Sequence, residues 1–252
     1  MGQRTDSGPT KMIVYSPIVE LRRYTLHSGK RDVLIDLFEK FFIETHEELG
    51  AELIGQFREL DNPDLFVWLR GFVNMETRGK ALENFYSSPI WKAHREEANQ
   101  TMLDSDNVLL LREAWPGSGF HLGPRQFSSK TSEPNSGIVI ATIWYFDTNP
   151  MEYFVPLFRE RIMSVLTDAG GSPVSVFVSE YSPNNFPKLP VREGENVLVW
   201  FSRFENREIY LDYTQTLEKT SNWSGLKARL QRSITKPQEL LQLAPTLRSK
   251  LT

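Results

Sequence analysis

The chain matches itself at a single offset of 132 positions. Val67-Trp68 is matched by Val199-Trp200, and Trp91 by Trp223. The same offset relates further pairs of identical residues: Phe72 and Phe204, Asn74 and Asn206, Glu76 and Glu208, Leu109 and Leu241, Leu111 and Leu243. A match that holds without a gap over residues 67–111 predicts two copies of one structural unit.

Several polar residues of the first copy are absent from the second. The first copy has Arg70, His94 and Arg95 where the second has Ser202, Leu226 and Lys227. The sequence therefore duplicates an architecture while it concentrates polar chemistry in the first copy.

Hydrophobic periodicity gives the order of elements in each copy. Alternating and three- or four-residue spacings predict βαββαβ, a ferredoxin-like unit. In the first copy the predicted strands are 18–26, 51–60, 65–73 and 107–114, with helices after Lys30 and over 75–86 and 89–103. In the second copy they are strands 138–146, 174–181, 196–204 and 239–245, with helices over 150–168 and 206–233.

Composition then sets the domain organisation. We expect a flexible N-terminus over 1–17, a first domain over 18–115, a linker rich in Gly, Ser and Pro over 116–137, and a second, degenerate domain over 138–252. Each four-stranded sheet would have helices on one face and an apolar other face. The two apolar faces can bury each other, so we predict an α+β fold in which the halves pair within the chain as a barrel.

Overall composition excludes several classes of function. With no cysteine, the chain cannot form disulfides, thiolate nucleophiles or Cys-zinc sites. A net charge of −3 without a basic patch argues against nucleic acid. No apolar run approaches the length of a membrane span, and the opening residues lack the apolar core of a signal peptide. These features favour a cytoplasmic protein.

The strand around Arg70 carries the strongest local anomaly. Alternation places Phe66, Trp68, Arg70 and Phe72 on one face, so a charge lies within an aromatic stripe. A buried arginine requires a partner. One interpretation is an internal salt bridge from Arg70 to Glu20, Glu59 or Glu113. The other is that Arg70 binds an anionic or carbonyl group of a ligand.

The predicted helix around Trp91 supplies the other candidates. Trp91, His94 and Arg95 have i, i+3, i+4 spacing, so they share a face. His94 could act as a general base or ligand, or it could be a half-buried histidine bonded to the backbone. His46 lies among glutamates and is expected on a solvated face. The four scattered histidines make no metal cluster.

Four strings resemble the NIPSNAP family: 57–63 (FRELDNP), 66–72 (FVWLRGF), 85–95 (FYSSPIWKAHR) and 104–112 (DSDNVLLLR). The resemblance covers residues 18 to about 115 closely. It implies the dimeric α+β barrel superfamily, which includes cofactor-free monooxygenases, isomerases, cyclases and haem-binding enzymes. It implies no particular reaction for the motif residues.

Three hypotheses of function follow. The first is a pocket in the first copy for a small aromatic or apolar metabolite, with possible cofactor-independent oxygenase, cyclase or isomerase chemistry. Its catalytic candidates are His94, Arg70 and Arg95, and its ligand-binding candidates are Trp68, Phe72, Trp91, Tyr24 and Arg58. The second is a non-catalytic scaffold or partner-binding module. The third is haem binding through His94 or His121. Whether the barrels assemble further is left open.

Overall fold

The computed structural model describes residues 15–123 and 137–252. Most of the expected flexible N-terminus and part of the expected linker lie outside these ranges. The eight strands of the described residues close into one antiparallel barrel in the order β1-β3-β2-β8-β5-β7-β6-β4. The strands are β1 (Ile18–Leu26), β2 (Glu52–Glu59), β3 (Leu65–Phe72), β4 (Met102–Glu113), β5 (Ile138–Tyr145), β6 (Pro173–Ser179), β7 (Val197–Phe204) and β8 (Glu239–Pro245).

Helices cover the outside of the barrel. They are α1 (Arg31–Leu37), α2 (Ile43–Glu48), α3 (Met75–Ser87), α4 (Pro89–Asn99), α5 (Phe154–Leu157), α6 (Met163–Asp168), α7 (Arg207–Lys219) and α8 (Ser221–Leu230). A π-helical segment joins α1 to α2 (Phe38–Phe42), and another joins α5 to α6 (Phe158–Ile162). The two halves thus repeat even this irregularity.

The repeated residues occupy equivalent places in the two halves. Asn74 and Asn206 are the N-caps of α3 and α7, and each accepts a hydrogen bond from a backbone N–H of the first turn. Gly50 and Gly170 follow the equivalent helices at φ +97° and +101°, a conformation that glycine adopts without strain.

Each half contributes a four-stranded sheet, and two seams join them. Strand β2 pairs with β8, and β4 pairs with β6, by three residue pairs each. Because each seam joins the second strand of one half to the last strand of the other, the halves are related as in a symmetric dimer. The predicted intramolecular α+β barrel is confirmed.

The barrel interior is filled by apolar side chains from every strand. Its buried members include Val19, Phe57, Val67, Leu109, Val139, Phe177, Val199 and Leu243. Phe120, which lies beyond β4, also packs there, with ring centroids 5.2 Å from Phe177 and 5.1 Å from Phe201. The predicted alternation on β3 is confirmed, since Val67 and Leu69 face the interior while Phe66 and Trp68 pack with helix residues outside.

Two sequence expectations differ from the structure. Helix α4 ends at Asn99, and β4 begins at Met102, five residues before the predicted start of that strand at Asn107. The extra strand residues pair with the end of β1 through irregular register, Thr25 opposite Asp104 and Leu26 opposite Met102.

Within the described ranges, no helix is both long enough and apolar enough to cross a membrane.

Candidate functional site

A cleft opens between the sheet and the helices of the first half. It encloses about 500 Å³, including its opening to solvent. Its walls are mainly aromatic: Tyr24, Phe38, Phe42, Trp68, Phe85, Tyr86 and Trp91 all line it. Trp68 forms the floor, and its ring meets Tyr24 and Phe38 edge-on at centroid distances of 5.8 and 4.8 Å. The cleft therefore offers flat apolar surfaces to a ligand.

Directly behind this floor lies a fully buried ion cluster. The carboxylate of Glu20 accepts from Arg22 Nη1 at 2.6 Å, Arg70 Nε at 2.7 Å and Arg78 Nε at 2.6 Å. All four side chains have no exposed surface. Strand register explains the arrangement, because Glu20 on β1 is directly opposite Arg70 on β3. Three guanidinium groups meet one carboxylate, so the cluster carries two positive charges in excess.

The charge states of the cluster are fixed by its geometry. Burial alone would raise the pKa of Glu20, but the charges of Arg70, Arg22 and Arg78 outweigh it and hold that pKa far below the ordinary range. Glu20 is therefore ionised. Within the described part of the chain, Nη2 of Arg22 and Nη2 of Arg78 have no hydrogen-bond partner. The cluster thus holds more positive charge and more donors than Glu20 can satisfy.

Tyr24 connects the cluster to the cleft. Arg22 Nε donates to the Tyr24 hydroxyl oxygen at 2.9 Å. Burial raises the pKa of Tyr24, and the Arg22 charge only partly opposes this, so the hydroxyl keeps its proton. Since its oxygen accepts from Arg22, its hydrogen is available to an acceptor in the cleft. The indole N–H of Trp68 is a second buried donor with no partner among the described residues.

His46 lies in the same wall, where the sequence predicted a solvated face. That expectation is wrong, since His46 is 2% exposed. Its ring stacks on Phe85 at a centroid distance of 3.6 Å, its Nδ1 is 2.7 Å from the Phe42 carbonyl, and its Nε2 is 3.4 Å from Arg70 Nη1. Burial and the Arg70 charge lower the pKa of His46 to about 3. The ring is neutral, so Nδ1–H donates to Phe42 and Nε2 accepts from Arg70.

The structure separates the predicted ligand-binding residues into two groups. Trp68, Trp91 and Tyr24 line the cleft. Phe72 is buried one layer away, against Leu82 and Leu110. Arg58 is on the surface, where it bonds to Asp32 at 2.7 Å. Neither Phe72 nor Arg58 reaches the cleft.

The predicted catalytic residues also separate. Arg70 is behind the floor, and the salt-bridge interpretation with Glu20 is the one the structure supports. His94 is half-buried and stacks on Phe41 of the π-helical segment at a centroid distance of 3.8 Å, and Arg95 is exposed. Neither lines the cleft. Helix α4 contributes Trp91, Ala98 and Asn99 to the lining, whereas the Arg95 side chain is exposed to solvent.

The second half completes the cleft of the first. Its segment between β6 and β7 crosses the seam, places Leu189 in the lining and buries Phe186 against Tyr86 at a centroid distance of 5.7 Å. Asn184 and Asn185 of this segment accept from Arg78 Nη1 at 3.1 and 2.6 Å. Sequence reasoning missed these contacts, because nothing local to the segment indicates which half it covers.

At the equivalent positions, the second half has no ion cluster. Ile140 is opposite Ser202 where Glu20 is opposite Arg70, and Thr142 is opposite Trp200 where Arg22 is opposite Trp68. The fourth residues of α3 and α7 are Arg78 and Tyr210, and those of α2 and α6 are His46 and Leu166. A barrel half folds without these charges, so folding alone does not require them in the first half.

The described residues contain no group of three or more His, Asp or Glu side chains placed to hold a metal ion. Haem would need a histidine nitrogen that points into a cavity. His46 lines the cleft, but both of its ring nitrogens face protein groups. His94 stacks on Phe41, and His121 is exposed with Nε2 2.9 Å from the Gly117 carbonyl. The arrangement therefore does not fit an axial haem ligand.

The fold and its first-half cleft define an α+β barrel protein of fused ferredoxin-like halves. Residues 19–115, which span the first half of the barrel, match the sequence model of the NIPSNAP family. No curated protein sequence matches the chain significantly.

Solved structures share the fold over nearly the whole chain. A protein of Lactobacillus acidophilus NCFM named "putative monooxygenase" is 14% identical with a TM-score of 0.58, covering 94% of this chain and 97% of that one. One of the same name from Fusobacterium nucleatum is 11% identical with a TM-score of 0.55, covering 91% and 92%. A dye-decolorizing peroxidase of Bacteroides thetaiotaomicron is 10% identical with a TM-score of 0.53, covering 93% and 95%. At these identities the likeness concerns the fold.

Proposed function

We propose that the first-half cleft binds a small aromatic molecule with negative charge, present or developing, on one oxygen. The observation that carries this proposal is the excess of positive charge directly behind the cleft floor. Three buried arginines share the single carboxylate of Glu20, and one of them bonds to Tyr24 in the cleft wall. A carboxylate, phenolate or enolate is the ligand group that suits this field.

The walls of the cleft indicate that the rest of the ligand is an aromatic ring system. Aromatic rings prefer edge-on or offset contact with other rings, and the floor and sides here are Trp68, Phe38, Phe85 and Trp91. A small molecule of one or two rings matches a cleft with these flat apolar walls and few polar groups. A charged or strongly hydrated body would lose its water shell against these walls without compensation.

Tyr24 and Trp68 then specify where the ligand oxygen lies. The Tyr24 hydroxyl accepts a hydrogen bond from Arg22 and can donate one to the ligand oxygen. The Arg22 charge polarises this neutral hydroxyl and strengthens it as a donor. At an effective dielectric constant of about 20, a unit charge roughly 7 Å away contributes about 2 kcal/mol. Two excess charges would thus favour an oxyanion by several kcal/mol before desolvation is counted.

The same arrangement supports a reaction. Stabilising an enolate or phenolate lowers the barrier to its formation, which is the common step of cofactor-independent oxygenation, cyclisation and isomerisation. No carboxylate lines the cleft among the described residues, and His46 is too weak a base, so the proton would pass to solvent. We favour oxygenation, in which a ring CH2 and O2 give C=O and water. Two proteins of this fold carry the name putative monooxygenase, which supports the same assignment.

Calorimetric titration with 2-naphthoate tests the binding proposal. The Tyr24→Phe variant keeps the ring and removes the hydroxyl, so it should bind about 10- to 150-fold more weakly, the range for a hydrogen bond to a charged group. Tyr153→Phe, at an exposed tyrosine of the second half that lines neither described cleft, is the matched control and should bind like the unaltered protein. If Tyr24→Phe binds 2-naphthoate as tightly as the unaltered protein does, the proposal is wrong.

Oxygen uptake tests the reaction. With hydroxyarenes that have an acidic ring CH2 tautomer, the protein should consume one O2 for each carbonyl formed, and Tyr24→Phe should slow this step. Binding without any oxygen consumption across such a panel would leave the ligand proposal standing and contradict the oxygenase assignment.

A further inference from the structure

The second half has a cleft of its own. It lies between the second sheet and helices α7 and α8, where the first-half cleft lies between the first sheet and α3 and α4. It encloses about 590 Å³, including its mouth. Trp200 and Trp223 line it at the positions of Trp68 and Trp91, so the duplicated tryptophans belong to two clefts.

The chemistry of this second cleft is different. Where the first half has Glu20, Arg22 and Arg70 behind its floor, the second has Ile140, Thr142 and Ser202. The charged lining residues are Glu218 and Lys227, which pair at 2.6 Å and are partly exposed at the rim. The interior of the second cleft therefore carries no net charge that would attract an ion.

Polar groups inside the second cleft are few and neutral. Ser202 is 3% exposed, lines the cleft, and its hydroxyl has no hydrogen-bond partner among the described residues. Burial raises the pKa of Tyr213, another lining residue, so its hydroxyl stays protonated. Trp144 Nε1 already donates to Gln238 at 3.1 Å. An unpaired buried hydroxyl is costly, and a ligand hydroxyl or carbonyl oxygen would satisfy it.

The walls favour a planar ligand. The Trp144 and Trp200 rings meet edge-on at 4.7 Å, and the Trp144 and Trp223 rings are nearly parallel, 21° apart, with centroids separated by 6.5 Å. Further space of about 580 Å³, including open solvent, continues past Trp144 and Trp223 towards Ile234. A flat ligand ring can therefore lie against the indole of Trp144 or that of Trp223.

We propose that the second-half cleft is a separate binding site for an uncharged planar aromatic molecule with one hydroxyl or carbonyl group. The two halves would then bind ligands of different charge, an anion in the first and a neutral molecule in the second. This site does not depend on the first-half proposal, since it shares no lining residue with that cleft.

Indole signals of the protein labelled with ¹⁵N-tryptophan test the proposal. Six tryptophans give six signals, which single Trp→Phe variants assign. Neutral 2-naphthol at pH 7 should shift the signals of Trp144, Trp200 and Trp223 saturably. The first-half variant Tyr24→Phe should leave these shifts and their midpoint unchanged.

A variant of the cleft itself supplies the second arm. Ser202→Ala removes the unpaired hydroxyl with little change in volume, and it should weaken 2-naphthol binding about 2- to 10-fold. Ser202→Leu fills the floor and should abolish the shifts. The proposal is overturned if 2-naphthol leaves the three second-half signals unshifted, or if folded Ser202→Leu binds it with unchanged affinity.

Discussion

The buried ion cluster makes a sharp prediction about stability. Replacing Glu20 by Gln keeps the shape of the side chain but removes its charge, and three guanidinium groups then lack their counter-ion. All three lie within 2.7 Å of that carboxylate and have no exposed surface. Breaking one buried pair by removing one partner costs about 3–5 kcal/mol. Because three pairs are broken at once, we expect Glu20→Gln to cost at least that much.

The second half supplies the matched comparison. A graft of its residues, Glu20→Ile with Arg22→Thr, Arg70→Ser and Arg78→Tyr, removes all four charges together. Replacing a buried ion cluster by well-packed apolar groups of similar volume is often neutral or stabilising, whereas removing only one partner leaves uncompensated buried charge. We therefore expect the four-residue graft to be more stable than the single Glu20→Gln variant, although it changes more atoms.

Urea unfolding followed by far-UV circular dichroism measures both effects from the shift in midpoint at a common slope. Total stabilities of about 5–15 kcal/mol make a loss of about 3–5 kcal/mol easy to detect. The prediction is refuted if the free energy of unfolding of Glu20→Gln lies within about 1 kcal/mol of that of the unaltered protein. It is also refuted if the graft loses as much free energy of unfolding as Glu20→Gln does.

Three further predictions concern the surroundings of the cleft. His46 has a pKa lowered from 6.5 to about 3 in the folded protein, so the unfolded chain takes up the proton first, and stability should fall by about 1.4 kcal/mol per pH unit as the pH drops from about 6.5 towards 3. His46→Leu should remove this component of the pH dependence in urea unfolding, and an unchanged slope would contradict it. Arg95→Ala should bind 2-naphthoate normally because Arg95 is exposed, and a tenfold loss by calorimetry would instead restore Arg95 to the site. Phe186→Ala should speed amide exchange over residues 184–191, since Phe186 is 5% exposed and anchors that segment; unaltered exchange there would count against the anchor.

The architecture could be predicted from the sequence because it leaves a periodic trace. A repeat at one offset requires two like units, and alternation along residues 65–72 is enough to place Arg70 among aromatic side chains. Three glutamates were candidate partners of Arg70, and strand register selects Glu20. The hydrophobic pattern of a single strand does not determine its register with a distant strand. The sequence alone therefore could not choose among the three candidate glutamates.

His46 and Arg78 show where local pattern fails. Glutamates around His46 suggest a solvated face, but His46 lies four residues after the buried Phe42 and therefore shares its inward helix face. His46 consequently turns inward. Arg78 is on an otherwise polar-looking helix, and its burial depends on Asn184 and Asn185 from the other half of the barrel.

We propose that the buried arginines make the first-half cleft favour an oxyanion. The most direct measurement is the acidity of a bound nitrophenol, followed through its phenolate absorbance as the pH is changed. The unaltered protein should bind the phenolate at least about tenfold more tightly than the phenol, which lowers the pKa of the bound ligand by one unit or more. The four-residue graft should lose that preference. A bound nitrophenol that is no more acidic than the free compound would contradict the account.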